Sequence, residues 1–155
     1  MRLLYAYPER VTEELLDVFA EEEKMVKYID IPLQHCSRKV LRAMRRHPYT
    51  PAELMEFIHH IREKVPGICL RTTLLTGFPG ETTEAAAHTV EFLKSIQSDW
   101  SGCFPYSREE DTAAYSMKGR VSAKTAQKRA DELVSVQEKL TRKSLAGWVG
   151  KEIDV

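Results

Sequence analysis

The residues best suited to chemistry lie in one stretch, LRTTLLTGFPGET, running from Leu70 to Thr82. An apolar run with Arg71 and Thr73 on alternate positions ends in a Gly77-Phe78-Pro79-Gly80 turn and opens onto a helix start. A strand that finishes this way puts its last residues at the carboxyl rim of a parallel sheet, where α/β proteins bind ligands. Gly77 and Gly80 let the backbone turn tightly or approach a ligand closely, and Pro79 fixes φ between them. An ordinary strand-to-helix turn has the same composition, so the turn alone decides nothing.

A second stretch, YIDIPLQ from Tyr28 to Gln34, alternates Ile29, Ile31 and Leu33 with Asp30, Pro32 and Gln34. Strand parity then turns Asp30 and Gln34, like Arg71, Thr73 and Leu75, toward the interior of the sheet, with Leu70 and Leu74 under helices. A closed TIM barrel fills its centre with bulky aliphatic side chains, so these polar groups imply a lumen that holds a polar ligand. Internal pairing of Arg71 with Asp30 is the competing explanation. Phe104 and Tyr106 share one strand face and Tyr5 and Tyr7 another, suited to stacking on an adenine or to packing in the core. His35 follows the second strand as a candidate acid, base or ligand, whereas His47, His59, His60 and His88 have surface context and no metal-ligand spacing. Arg38, Lys39, Arg42, Arg45 and Arg46 share one short helix, either as a solvated face or as a contact for RNA or phosphate. Cys36, Cys69 and Cys103 lie more than thirty residues apart, which fits neither a disulfide framework nor a CxxC-type metal site.

The elements that must position these groups alternate along the chain. Leu3 to Tyr7 reads as a strand ended by Pro8, and Thr12 caps a helix carrying Leu15, Leu16 and Phe19. After the Tyr28–Gln34 strand, Ser37 caps a short helix with Val40, Leu41 and Met44. Thr50 and Glu53 then form a capping box around Pro51, and Leu54, Phe57, Ile58 and Ile61 follow at helical spacing. A third strand, Cys69 to Thr76, feeds the glycine turn and a helix from about Thr82 to Gln97. A fourth strand covers about Trp100 to Ser107. A polar crossing then leads to a long helix, Ser122 to Ala146, with Ala126, Ala130, Leu133, Gln137 and Leu140 inward. Repeated βα units of this kind imply an α/β fold with a parallel sheet, either a partial barrel or an open doubly wound sheet.

Bulk properties set limits on function. The 155 residues are 43% hydrophobic and 30% charged, a globular composition. With 23 basic and 23 acidic side chains the net charge is zero, so nucleic-acid contact would have to come from a local patch. The opening MRLLYAYPERV is too short in apolar residues for a secretory signal, and no 18-residue apolar run occurs, so the expectation is a cytoplasmic chain with no membrane partner.

At YIDIPLQHCSRKVLRAMRR, LRTTLLTGFPGET and GCFPYSREEDTAA the chain resembles the methylthiotransferases of the radical S-adenosylmethionine superfamily. The PLQH and GCFPYS segments look like the branch that methylthiolates an aspartate of a small-subunit ribosomal protein, the RimO type, more than the sister branch that acts on an adenosine of tRNA. The resemblance implies the carboxyl-terminal half of a partial (βα) TIM-like radical-SAM barrel, a long helix and the first strand of a small β (TRAM-like) domain. Residues 1–120 then correspond to the last four barrel units, 121–147 to a connecting helix and 148–155 to the start of a truncated β domain. The cofactors implied for the complete enzyme are S-adenosylmethionine and [4Fe-4S] clusters, and the CxxxCxxC cluster loop is missing from this sequence. The fragment alone is expected to be inactive and without metal ligands. The cofactor residues implied are Gln34 near the ribose, Arg71 and Thr73 toward the amino-acid end or ribose, and Gly77, Phe78 and Phe104 about the adenine. A ribosomal protein or the ribosome is the implied partner, with RNA contact through the arginine-rich helix. Relatives usually read SPEEGTPA where this chain has Ser107-Arg-Glu-Glu-Asp-Thr-Ala-Ala, which loses a proline and a glycine. Two other readings stand beside this one: a non-catalytic module that docks on the ribosome or RNA, and an unrelated (βα) enzyme that binds phosphate at the GFPGET turn.

Overall fold

β-Branched and leucine-rich runs with a period of two form a parallel sheet in the computed structural model, which describes residues 1–152. Strands β1 (Tyr28–Gln34), β2 (Cys69–Thr76) and β3 (Trp100–Pro105) lie in the order β1-β2-β3. Helix α1 (Glu13–Glu21) precedes β1, and α2 (Arg38–Ala43) with α3 (Pro51–Lys64) joins β1 to β2. Helix α4 (Thr83–Ile96) joins β2 to β3, and α5 (Ala123–Ala146) packs against β3 and α4.

The helix starts follow from side-chain capping. Thr12, Thr50, Thr82 and Ser122 each accept a backbone N–H of the first turn, and Thr50 and Glu53 complete a reciprocal box. Ser37 sits at the start of α2 but makes no side-chain cap bond. Between sheet and helices, Ile29, Ile31, Leu70 and Leu74 are fully buried with Leu16, Phe19, Leu54, Ile58, Ile61, Leu93 and Ile96. Each such side chain contributes about 1.5–3 kcal/mol of burial. Gln137 belongs to the inner stripe of α5 because its amide exchanges two 3.0 Å hydrogen bonds with Ser98.

One strand expectation changes, and another falls largely outside the described residues. The strand expected over Leu3–Tyr7 reduces to one parallel bridge, Leu3 to Ile29, and one hydrogen bond from the Ala6 N–H to the Asp30 carbonyl. Tyr5 stands between them at φ 59°, which breaks the extended path, and Pro8 opens a 3-10 turn. The regular sheet among the described residues therefore has three strands where four were expected. The strand expected at the end of the chain lies for its last three residues outside the described ones, and Lys151 and Glu152 carry no regular structure.

Candidate functional site

The helices cover one face of the sheet and leave the other open. Register places Asp30 beside Arg71 and Arg71 beside Trp100, then Thr73 beside Gly102 and Leu75 beside Phe104. Trp100 and Phe104 are 56% and 53% exposed. Arg71 Nη1 donates to Asp30 Oδ2 at 2.7 Å, so the pairing considered from sequence does form. The other oxygen, Asp30 Oδ1, is buried with no partner among the described residues. A Cβ at Gly102 would lie 2.8 Å from Phe104 Cε2 and 3.7 Å from Thr73 Oγ1. Glycine there thus lets the Phe104 ring lie across β3 next to the Thr73 hydroxyl.

Gln34 escapes the simple alternation. The register shifts between Ile31 and Gln34, which brings Gln34 opposite Leu74 at φ 67°. The Thr72 hydroxyl fills the irregularity, donating to the Ile31 carbonyl at 2.8 Å and accepting the Leu33 N–H at 3.3 Å.

At the carboxyl rim the turn is locked from the helix side. Gly77 has φ 77°, and a Cβ on it would stand 2.3 Å from Ala126 Cβ, so α5 occupies the space that only glycine leaves. The Thr76 hydroxyl donates to the Ala126 carbonyl at 2.9 Å. Glu81, buried within the same turn, accepts three donors: the Gly77 N–H at 2.5 Å, His35 Nε2 at 3.2 Å and Arg129 Nη1 at 2.6 Å. His35 Nδ1 accepts the Ser37 N–H at 2.8 Å, and a backbone amide can only donate, so the ring proton sits on Nε2 facing Glu81. Burial alone would push the Glu81 carboxyl up, but the bonds from His35, Gly77 and Arg129 outweigh it and hold the group below its ordinary value. Phe78 is buried edge-to-face against Tyr106, with ring centroids 5.2 Å apart.

The structure therefore divides the six expected cofactor residues. Arg71, Thr73 and Phe104 share the open face, Gln34 ends β1 out of the alternation and opposite the helix-side Leu74, and Gly77 and Phe78 pack toward α5 and Tyr106. Sequence reasoning missed Glu81, whose only signal was an acidic residue directly after the glycine turn. His35 proves to be a structural partner of that carboxylate. His47, His59, His60 and His88 are exposed, as expected. Lys39, Arg42 and Arg45 are exposed as well, while Arg46 donates to the Pro32 carbonyl at 2.8 Å and stacks over Tyr7. Cys36, Cys69 and Cys103 are free thiols on separate elements, each pushed up by burial. Among the described residues no three His, Cys, Asp or Glu side chains converge to hold a metal. Those residues do not fit an iron-sulfur cluster.

A parallel βα sheet with one polar, aromatic face left open and its carboxyl rim closed by a glycine turn is the architecture of a radical SAM barrel segment. The chain belongs to the radical SAM superfamily, whose family model matches residues 3–93. It is 43% identical, over its full length, to a Natranaerobius thermophilus protein named ribosomal protein uS12 methylthiotransferase RimO, of which it covers 35%. Proteins of that name from Moorella thermoacetica and Fervidobacterium nodosum are 43% and 44% identical over the whole chain, which covers 36% of each. The chain thus spans about a third of the length of the curated relatives it matches. Among solved structures, coproporphyrinogen III oxidase (HemN) from Escherichia coli aligns with a TM-score of 0.64 at 19% identity, over 97% of this chain and 34% of that one. The methyltransferase TsrM from Kitasatospora setae aligns at 0.54 and 24% identity, over 67% of this chain and 20% of that one. Both are likenesses of fold.

Proposed function

We propose that the chain is part of a RimO-type methylthiotransferase, which uses S-adenosylmethionine and [4Fe-4S] clusters to add a methylthio group to an aspartate of ribosomal protein uS12. The observation that carries this reading is the 43% identity, without a break in coverage, to proteins of that name. S-adenosylmethionine, when bound, supplies the methyl group and a hydrogen-abstracting radical. The open face suits its two ends. Arg71 keeps guanidinium donors beyond the one spent on Asp30, and these bind a carboxylate in charge-assisted bonds. Thr73, partly exposed on the same face, offers a hydroxyl contact. Phe104, laid over Gly102, presents a flat apolar surface to a heteroaromatic base. Gln34, at the end of β1, would hold the ribose, and Gly77 and Phe78 would shape the rim beside the adenine.

The uS12-bearing ribosomal subunit is the proposed partner. Lys39, Arg42 and Arg45, exposed and without a carboxylate partner among the described residues, are proposed to touch ribosomal RNA beside the target loop. No helix among the described residues is long and apolar enough to cross a membrane, and the proposed location is the cytoplasm. Mass spectrometry of uS12 and of tRNA nucleosides, from cells with and without the gene, tests the reading. Loss of the methylthio group from uS12 alone is expected. Loss of a methylthio-adenosine with uS12 unchanged would move the chain to the tRNA branch.

A further inference from the structure

A cleft of about 420 Å³ opens at the carboxyl rim between the glycine turn, the segment 105–108 that follows β3, and the first turn of α5. Arg108 and Arg120 stand in its wall. Their guanidiniums converge on one acceptor: Arg108 Nε and Arg120 Nη2 both donate to the Tyr115 carbonyl, at 3.1 and 3.4 Å. Arg108 is further fixed by lying 3.5 Å from the centre of the Tyr115 ring. Neither arginine has a carboxylate within 4.0 Å among the described residues, and no acidic residue lines the cleft or the first turn of α5. Water screens the repulsion between these exposed guanidiniums, and their remaining donors, unclaimed by any carboxylate among the described residues, can bridge one anion.

The surroundings select among anions. Glu109, Glu110 and Asp111 follow Arg108 directly and are all exposed, with Asp111 at φ 62° in the turn. This acidic rim repels a polyanionic backbone but accepts cationic side chains on either side of a single negative charge held by the two arginines. We infer that the Arg108–Arg120 cleft receives one carboxylate side chain of a peptide segment whose flanking residues are basic. The inference rests on the proposal that the substrate is a protein and specifies the segment it presents.

The test uses this chain and a capped pentapeptide with one aspartate between two lysines, followed by side-chain NMR and calorimetry. Saturable binding is expected, with shifts at the Arg108 and Arg120 Nε–H signals. The same peptide with asparagine should bind about tenfold more weakly, as should R108Q or R120Q with the aspartate peptide, the typical worth of a charge-assisted bond. Both arginines are exposed, so the amide spectrum of each variant should keep the native fold. Equal affinity for the asparagine peptide, absence of binding, or tighter binding of inorganic phosphate or an RNA oligonucleotide would overturn the inference. Peptide binding without uS12 modification in cells would overturn the functional reading and leave the cleft standing. The reverse outcome would overturn the cleft alone.

Discussion

Replacing Arg71 by alanine strips a buried carboxylate of its side-chain partner. Asp30 is inaccessible, its Oδ1 is already unpartnered among the described residues, and Oδ2 would lose the 2.7 Å bond. Breaking a buried ion pair from one side costs about 3–5 kcal/mol. Arg71 itself keeps 28% of its side chain exposed, which admits water to the vacated space and places the expected loss near the lower end, about 3 kcal/mol. For a chain of this size that corresponds to a fall of roughly 6–12 °C in melting temperature. The double variant D30L/R71L deletes both charges and should regain most of the loss, because well-packed apolar replacements of a buried pair are often neutral or stabilising. Urea unfolding followed by tryptophan fluorescence is the assay, since Trp100 lies beside Arg71 in the sheet register and reports on that layer directly. A loss under about 1 kcal/mol for R71A, the value of an exposed pair, would refute the argument. So would a double variant as unstable as the single one. The same numbers bear on cofactor work, because reduced cleavage by R71A in a full-length enzyme counts against binding only after the fold has been shown to survive.

Further outcomes are expected elsewhere. E81Q should cost about 1–3 kcal/mol at neutral pH by leaving buried donors poorly matched, measured by urea unfolding. Glu81 is held below its ordinary 4.5, so its contribution is present above that pH and lost as pH falls through the folded value, and the gap between wild type and E81Q should close in acid; a gap constant down to pH 3, roughly, would contradict the assignment. G77A should destabilise by about 2–4 kcal/mol, from overlap with Ala126 and the left-handed backbone, whereas G80A, with open space around it, should cost about 1 kcal/mol; equal losses in thermal melts would argue against the α5 contact. Anaerobic reconstitution of this chain should leave iron well below stoichiometry, and about four irons per chain with cysteine-dependent absorbance would show that the dispersed thiols can assemble a cluster.

What was legible in the sequence was local. Thr12, Thr50 with Glu53, Thr82 and Ser122 announce helix starts through bonds made within three residues, and the structure makes each of them. The alternation in β2 was equally readable because every second residue is buried. Alternation became uninformative where a neighbour intervened. Thr72 props open the end of β1, and Gln34 then falls opposite a helix-side residue, a change that depends on a hydroxyl 39 positions beyond the Leu33 amide it receives. Leu3–Tyr7 has the composition of a strand, yet without continuous pairing it keeps one bridge and one hydrogen bond to β1. Glu81 stood out only as an acidic residue directly after the glycine turn. Besides the Gly77 N–H, its partners come from β1's exit and from α5, and no local pattern encodes those two.

The distance between Glu81 and Arg129 sets an order of events during synthesis. The turn and its carboxylate emerge 48 residues ahead of the guanidinium that neutralises it, and the Ala126 methyl that packs on Gly77 arrives only shortly before. Until that stretch has left the ribosome, burying the carboxylate would strand a charge, so the rim stays open while the strands below it are free to pair. Closure of the glycine turn is therefore a late step that waits for α5, and a chain stalled before residue 129 would hold a sheet with an unfinished edge.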